Sequence, residues 1–473
     1  MWGRGHGMDT RSLILASVGA VGLLVGTGAL GCRLLLGNLN ECNTTSDCVS
    51  YGAGIVCQNN LCVTDSRCVT FGNFTPGSLL IGAILPKTNS NGAGVDQAGV
   101  LSEDAIRLVA QQINQSGGES VRPLAVISCD DTYDGPTAEN LAQELVDQGV
   151  VAIVTDGSTV TTAASQVTIP AGVLLVAAWA TSIQIGSLGV SPSGGPKLVW
   201  STAVPDSVQG KVMADLLASN HVQFPAIIAR NDLYGTGLTD SISSAYKLDT
   251  DGGATASALF PPGGDPSAAV TQIESQSADA IVIVGLPTEA DSVLADWTKQ
   301  DPKTWYFTDV CESPQTIADL PDGVARLVGH SLGTGPGVEE GTQAYSDFAS
   351  QFETAFGQDP ATQSFVPNTY DAAMLIVVGA AWAQANGVVN GTQIAAGLSH
   401  IEAPLPDGGT KIPLEPSYLP TISAAFVGNM DVNLQGASGP LDFDPATGVA
   451  PGPIATWTFL EDGGIGTLST INP

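Results

Sequence analysis

The sharpest chemical pattern in the chain is Val328-Gly329-His330-Ser331-Leu332-Gly333. It is a G-x-S-x-G run, the kind that raises a nucleophilic serine on a strand-to-helix elbow. That chemistry needs an acid and then a histidine further along, and Asp347 or Asp371 followed by His400 meets the order. The elbow must also run straight into a helix. Here Gly333-Thr334-Gly335-Pro336-Gly337 follows, which cannot begin one, so the pattern lacks its context. The four histidines (His6, His221, His330, His400) are scattered and show no metal-ligand spacing. A phosphate-cradling G-x-x-x-x-G-K-[ST] loop is absent, and no cofactor is expected.

The eight cysteines are the next reactive group. Their context is set by the N-terminus: Arg4 and Arg11, an apolar run from Leu13 to Val25, small residues from Gly26 to Gly31, then Cys32. A positive start, a short apolar core and small residues at a cleavage point describe an export signal. The cysteine directly after it resembles a bacterial lipobox, with Ala29 where that motif prefers leucine. The expectation is a signal peptide over 1–31 and lipid attachment at Cys32; an uncleaved signal anchor is the alternative. Cys42, Cys48, Cys57, Cys62 and Cys68 follow closely, and dense cysteine in an exported segment reads as disulfide stapling. Zinc is the rival, but paired C-x2-C knuckles and histidine are missing there. Connectivity stays open. Without Cys32 seven cysteines remain, because Cys129 and Cys311 stand alone, so at least one thiol is unpaired or pairs between chains.

The elements that would position any site begin at Ser78. Short apolar runs (78–85, 124–129, 150–155, 173–177) alternate with amphipathic stretches, among them a helix opened by Ser102 and another opened at Pro136. The rhythm restarts after Pro205 with strands over 226–230, 280–286 and 304–309 and helices near 236–247, 266–276 and 287–299. A third, mainly helical stretch runs from about 341 to 400, clearest over 365–385. Gly439 to Phe443 and Ile454 to Leu460 read as strands again. This β-α-β-α order predicts open parallel sheets with helices on both faces. With 15 Lys and Arg against 46 Asp and Glu, the net charge is -31, which argues against nucleic-acid partners and suits a soluble exported surface.

Several segments, in order, carry a resemblance to type I periplasmic binding proteins, nearest the branched-chain amino-acid (leucine/isoleucine/valine) class. They are Ile81-Gly82-Ala83-Ile84-Leu85-Pro86, Ile113-Asn114-Gln115-Ser116-Gly117-Gly118, Asp130-Asp131-Thr132-Tyr133-Asp134, and Asp147 to Val154. Asp232-Leu233-Tyr234-Gly235-Thr236-Gly237, Tyr370-Asp371-Ala372 and Gly439 to Asp444 complete the set. The resemblance implies an α/β fold of two doubly wound parallel-sheet lobes joined by hinge crossings, preceded by a small Cys-rich segment. The expected division is a Cys-rich module and linker over 32–75 and lobe 1 over 76–204. Lobe 2 then covers 205–330, a return to lobe 1 covers 331–443 with an insertion at about 401–436, and a lobe 2 closing strand and tail cover 444–473.

In that family ligand lies between the lobes at the carboxyl ends of the strands. The resemblance then implies ligand contacts from Ser158 and Thr159 at a helix start, from Trp179, Ala180, Thr181 and Ser182 after the fourth strand, and from Tyr234 in lobe 2. Asp309 or Glu312 would hold an ammonium group, although Val310 occupies the aligned position, so an amide or small carboxylate ligand remains open. The implied function is capture of a small polar solute by hinge closure, for an ABC importer with its permease or as a sensory or scavenging receptor. The implied place is the periplasm or cell surface, with contact to membrane only through lipid and the choice of inner or outer membrane open. An α/β-hydrolase esterase built on Ser331 is the enzyme alternative; the binding reading instead takes 324–332 as a strand crossing between lobes.

Overall fold

The computed structural model describes residues 41–116, 121–190, 195–318, 320–401 and 411–472. The export signal, Cys32, Gly117-Gly118 and residues 402–410 of the expected insertion lie outside the described residues. The chain divides into two compact units, one ending at Asp65 and one beginning at Ser66.

The first unit holds a 3-10 helix (Thr45–Tyr51) and a hairpin of β1 (Ile55–Gln58) and β2 (Leu61–Thr64). Asn59 and Asn60 turn the hairpin with φ of 52° and 64°, the left-handed values a tight two-residue loop requires. Disulfides Cys42–Cys57 and Cys48–Cys62 staple it. With so little apolar residue, these cross-links stand in for a core. Cys68 was expected with this module but belongs to the second unit. It faces Cys129 directly across an antiparallel pair and bonds to it. The expected 32–75 segment is corrected accordingly: Cys68 opens an edge strand of the first lobe.

In that lobe the six strands are β3 (Cys68–Gly72), β4 (Leu79–Leu85), β5 (Leu124–Asp130), β6 (Ala152–Thr155), β7 (Leu174–Ala177) and β8 (Val199–Ser201). Their order is β3-β5-β4-β6-β7-β8, parallel except for β3. Helices α1 (Gln97–Gln115), α2 (Gly135–Asp147) and α3 (Ser158–Ala171) make the crossovers. Ser102, the expected cap of α1, lies buried inside it. Asp96 caps instead, accepting from Gly99 N–H at 2.9 Å. Gly99 permits this early start, because a Cβ there would lie 1.8 Å from the Pro86 carbonyl oxygen.

The second lobe contains α4 (Asp206–Ser219), β9 (Pro225–Arg230), α5 (Leu233–Asp249), β10 (Ala256–Phe260), α6 (Ser267–Glu274), β11 (Ala280–Val284), α7 (Pro287–Asp296) and β12 (Trp305–Phe307). Next comes β13 (Ser331–Pro336), parallel to β12. Strand residues alternate between two buried clusters, Ile228, Ile283 and Phe307 on one face and Ile227, Val282 and Tyr306 on the other. A sheet covered on both faces needs such continuous apolar runs. Two expectations change here. Residues 324–332 are not one strand, since a short helix (Gly323–Leu327) precedes β13. And because β13 lies in the second sheet, the return to the first lobe starts after Pro336, not at Ser331.

The chain then packs α8 (Gln343–Phe356), α9 (Val366–Asn386) and α10 (Gly391–Leu398) onto the first lobe. The described part of the 401–436 insertion joins the same core. β14 (Ile412–Pro413) pairs with β15 (Leu434–Gln435), and α11 (Leu419–Val427) buries Leu419, Ile422 and Phe426. Gly439 to Phe443, expected as a strand, has only an isolated bridge from Pro440 to Gln435. Finally β16 (Ile454–Phe459) and β17 (Ile465–Ile471) add antiparallel edges to the second sheet, ordered β10-β9-β11-β12-β13-β16-β17. The chain therefore crosses between lobes near 202–205, 337–342 and 450–453. Two of these crossings are tied by Gly337 N–H to Pro453 O at 2.8 Å.

Candidate ligand-binding site

Each sheet reverses its strand order beside its first parallel strand: β4 has β5 on one side and β6 on the other, and β9 has β10 and β11. At such points the following helices diverge and leave a crevice at the carboxyl ends of the strands. The two crevices share one cavity of about 40 Å³. Its walls come from Tyr133, Asp156 to Val160 and Trp179 of the first lobe, and from Arg230, Asp232, Tyr234, Leu286 and Val310 of the second. Ligand pockets commonly measure roughly 300–1,000 Å³. The enclosed space is small against that range.

Ser158 and Thr159 form the first turn of α3, whose cap is Gly157. The opening N–H groups of a helix have no partner inside it and favour negative charge. The Thr159 hydroxyl is buried without a hydrogen-bond partner among the described residues. The Ser158 hydroxyl accepts from Ser182 N–H at 3.1 Å, which ties two of the expected loops together.

Trp179 lines the cavity, stacked on Phe365 at 5.9 Å between ring centres and tilted against Tyr133 at 6.4 Å. Its indole N–H is held by the Thr369 hydroxyl at 3.1 Å. Ala180, Thr181 and Ser182 are buried behind the wall and do not line the cavity. There the Ala180 carbonyl accepts from Ser201, and the Thr181 carbonyl accepts from Asp206 N–H at 2.7 Å. These three residues brace the first crossing.

Tyr234 contributes its ring to the cavity, while its hydroxyl bonds Thr308 at 2.9 Å and donates to the Asp309 carboxylate. Asp309 is thus engaged inside the second lobe; burial raises its pKa to about 6, against the Tyr234 hydrogen bond. Glu312 is farther still. It accepts from Ser364 at 3.1 Å and lines a separate cavity of about 60 Å³ beside Pro336 and Phe365. Burial lifts its pKa to about 8.

Residues that the sequence reasoning passed over complete the wall. Arg230, at the end of β9, is buried and bonded to Asp232 at 2.8 Å and Glu289 at 3.2 Å. Asp156, directly after β6, is fully buried, and neither of its oxygens accepts a hydrogen bond from a described group. Tyr133 stands on a positive φ of 58° and donates to Asp96 at 3.0 Å. The available signal was positional: a charged residue immediately at the carboxyl end of an apolar strand.

The residues of the esterase alternative are not brought together. Ser331 begins β13 in the second sheet, its hydroxyl 3.2 Å from that of Thr458. Asp371 is held by the Ala437 and Ser438 amides, and His400 pairs with Asp431 at 2.7 Å and stacks on Trp382.

Comparison with known proteins agrees with this architecture. The family model described as periplasmic binding protein matches residues 78–415. The Leu/Ile/Val-binding protein homolog 3 of Brucella melitensis is 28% identical over 228 residues, 47% of this chain and 58% of that protein. An amino acid binding protein of Pseudomonas aeruginosa is 25% identical over 256 residues, 53% of this chain and 66% of that one. The chain thus spans about three-fifths of the length of the curated relatives it matches. Among solved structures, a leucine binding protein from Thermotoga maritima superposes with a TM-score of 0.66 at 19% identity, covering 84% of this chain and 99% of that one. A solute binding protein of an ABC transporter from Rhodopseudomonas palustris, in complex with 3,4-dihydroxybenzoic acid, gives 0.62 at 16% identity, covering 84% and 97%. With two switch-point crevices facing each other and a family match over most of the body, the chain belongs to the periplasmic binding protein family.

Proposed function

We propose that the protein captures a small polar solute between its lobes by hinge closure and performs no catalysis on it. The observation that carries this reading is the cavity itself, walled by strand ends from both sheets and entered by the N-terminus of α3. That terminus with the Thr159 hydroxyl suits a carboxylate or an amide oxygen without a cationic side chain. Relatives named for amino-acid binding and a neighbour holding an aromatic acid support amino acids, amides and small carboxylates as the ligand class. On family grounds the place of action is outside the cytoplasm, and the solute passes to an ABC importer. Tethering through lipid at Cys32 follows from the export signal in the sequence.

The test is a thermal-shift screen of amino acids, amides and small acids. A ligand that binds only the folded protein raises the melting temperature as its concentration exceeds Kd. At least one of these classes should do so in a saturable way. A flat response across all three would remove the reading.

A further inference from the structure

We infer that Asp156 receives a cationic nitrogen of the captured solute, so that the cleft selects amines or zwitterions over plain carboxylates. This rests on the binding role proposed above and specifies its chemistry.

Two acids, Asp156 and Asp232, line the cavity, and a third, Asp309, is bonded to the lining residue Tyr234; Asp232 and Asp309 both have donors. Asp232 accepts from Gly235 N–H at 2.9 Å and from Arg230, and Asp309 accepts from Tyr234 and from Val310 N–H at 2.9 Å. Asp156 lines the same cavity and is fully buried; among the described residues no N–H or hydroxyl meets either oxygen with hydrogen-bond geometry, and its carboxyl neighbour is Asp131. A buried carboxylate without a donor is expensive, and a ligand cation is the group that relieves it.

The surroundings do not supply that cation. Asp131 stands next to Asp156 with its own Oδ2 unpartnered, and Asp96 beyond it accepts from Tyr133 and Gly99. Arg230 is the basic side chain on the opposite wall. It is already matched to both Asp232 and Glu289, so that trio is net negative. A low-dielectric crevice with one sign of charge concentrates the opposite charge. Burial holds Asp156 at a pKa of about 7, with the N–H dipole of Gly157 and the neighbouring Asp131 carboxyl offsetting it only in part. Without a cation the Asp131–Asp156 pair therefore retains a proton near neutrality, and an arriving ammonium displaces it to solvent.

Asp156 also stands two residues before Ser158, where α3 begins. One loop thus offers an anion-favouring helix end and a cation-favouring carboxylate side by side. That combination fits the two ends of an amino acid, and the acid comes from the first lobe while Asp309 remains committed to Tyr234.

The test uses matched probes on the full chain. For the alanine, leucine and phenylalanine skeletons, the amino acid, its deaminated acid and its decarboxylated amine are titrated against wild type and Asp156→Asn by calorimetry, with apo melting temperatures as the check on folding. The inference expects nitrogen-bearing probes to bind wild type about 30-fold tighter than the deaminated acid, the worth of one charge-assisted hydrogen bond. It also expects Asp156→Asn to fold normally and lose that preference. Equal binding of the deaminated acid, or a preference unchanged in Asp156→Asn, overturns the inference and leaves solute capture standing. Binding by no probe and by none of the solutes in the wider screen overturns both. If Asp156→Asn does not fold, Asp156→Glu replaces it, and a shifted preference with an unshifted melting temperature is then required.

Discussion

The Tyr234 hydroxyl donates to the Asp309 carboxylate, and Thr308 shares the same hydroxyl at 2.9 Å. One phenol thereby fixes the acid that ends β12 and presents its ring to the cleft. Tyr234 and Val310 N–H both donate to Asp309 Oδ1, and Oδ2 has no hydrogen-bond donor among the described residues. Tyr234→Phe leaves that carboxylate poorly solvated and should cost about 1–3 kcal/mol near neutral pH. Asp309 has a folded pKa of about 6, above its unfolded value, so the loss shrinks as acid protonates it. Urea unfolding at about pH 7 and about pH 4.5 checks both size and direction.

Asp206, the first residue of α4, is fully buried, and burial raises its pKa to about 8. The Thr181 hydroxyl opposes the shift, while Asp309 and Asp232 add to it. A raised carboxyl binds its proton more tightly in the folded state, so its ionisation costs stability between about pH 4 and about pH 8. Asp206→Asn should match wild type near the bottom of that window. By the top it should exceed wild type by more than about 1 kcal/mol. Melting temperatures across the window test this, and a constant difference would contradict it.

The order of apolar strands and amphipathic helices was legible because both sheets are buried on both faces. Runs such as Ala280–Val284 carry no polar residue to confuse the reading. β13 was not, since Ser331-Leu332-Gly333-Thr334-Gly335-Pro336 has the composition of a loop. Its glycines are strand residues because neighbours fill their place: a Cβ on Gly333 would meet the Trp457 ring at 2.1 Å. Of the expected site, Ser158, Thr159, Trp179 and Tyr234 reach the cavity, all of them beside strand ends that the rhythm located. Thr181 and Glu312 do not, because distance from a strand end in sequence does not say which way a turn sends its side chain. Asp156 and Arg230 were overlooked for a related reason: the partners or gaps that single them out come from segments remote in sequence.

The Cys68–Cys129 bond closes a separation of 61 residues and holds the edge strand β3 to β5. Replacing both cysteines with serine should lower stability by about 2–4 kcal/mol. Cys311 is buried, and burial pushes its thiol well above the usual range, so it should resist alkylation in the native protein and react on unfolding. Peptide mapping after labelling with and without denaturant reads this out.

Ser331→Ala should leave p-nitrophenyl ester hydrolysis at the background rate of the wild type. Its hydroxyl meets the Thr458 hydroxyl at 3.2 Å and Phe459 N–H at 3.3 Å, which stitch β13 to β16. The variant should therefore lose about 1 kcal/mol of stability and keep solute binding. A specific fall in ester turnover would revive the enzyme alternative.

Two lobes closing on a guest is the claim beneath all of these. Spin labels at the exposed positions Gln166 on α3 and Lys247 on α5 report the separation of the lobes directly. With the best solute from the thermal screen at saturation, the distance distribution should narrow and shift to shorter values. A distribution that is the same with and without a bound solute would contradict the account.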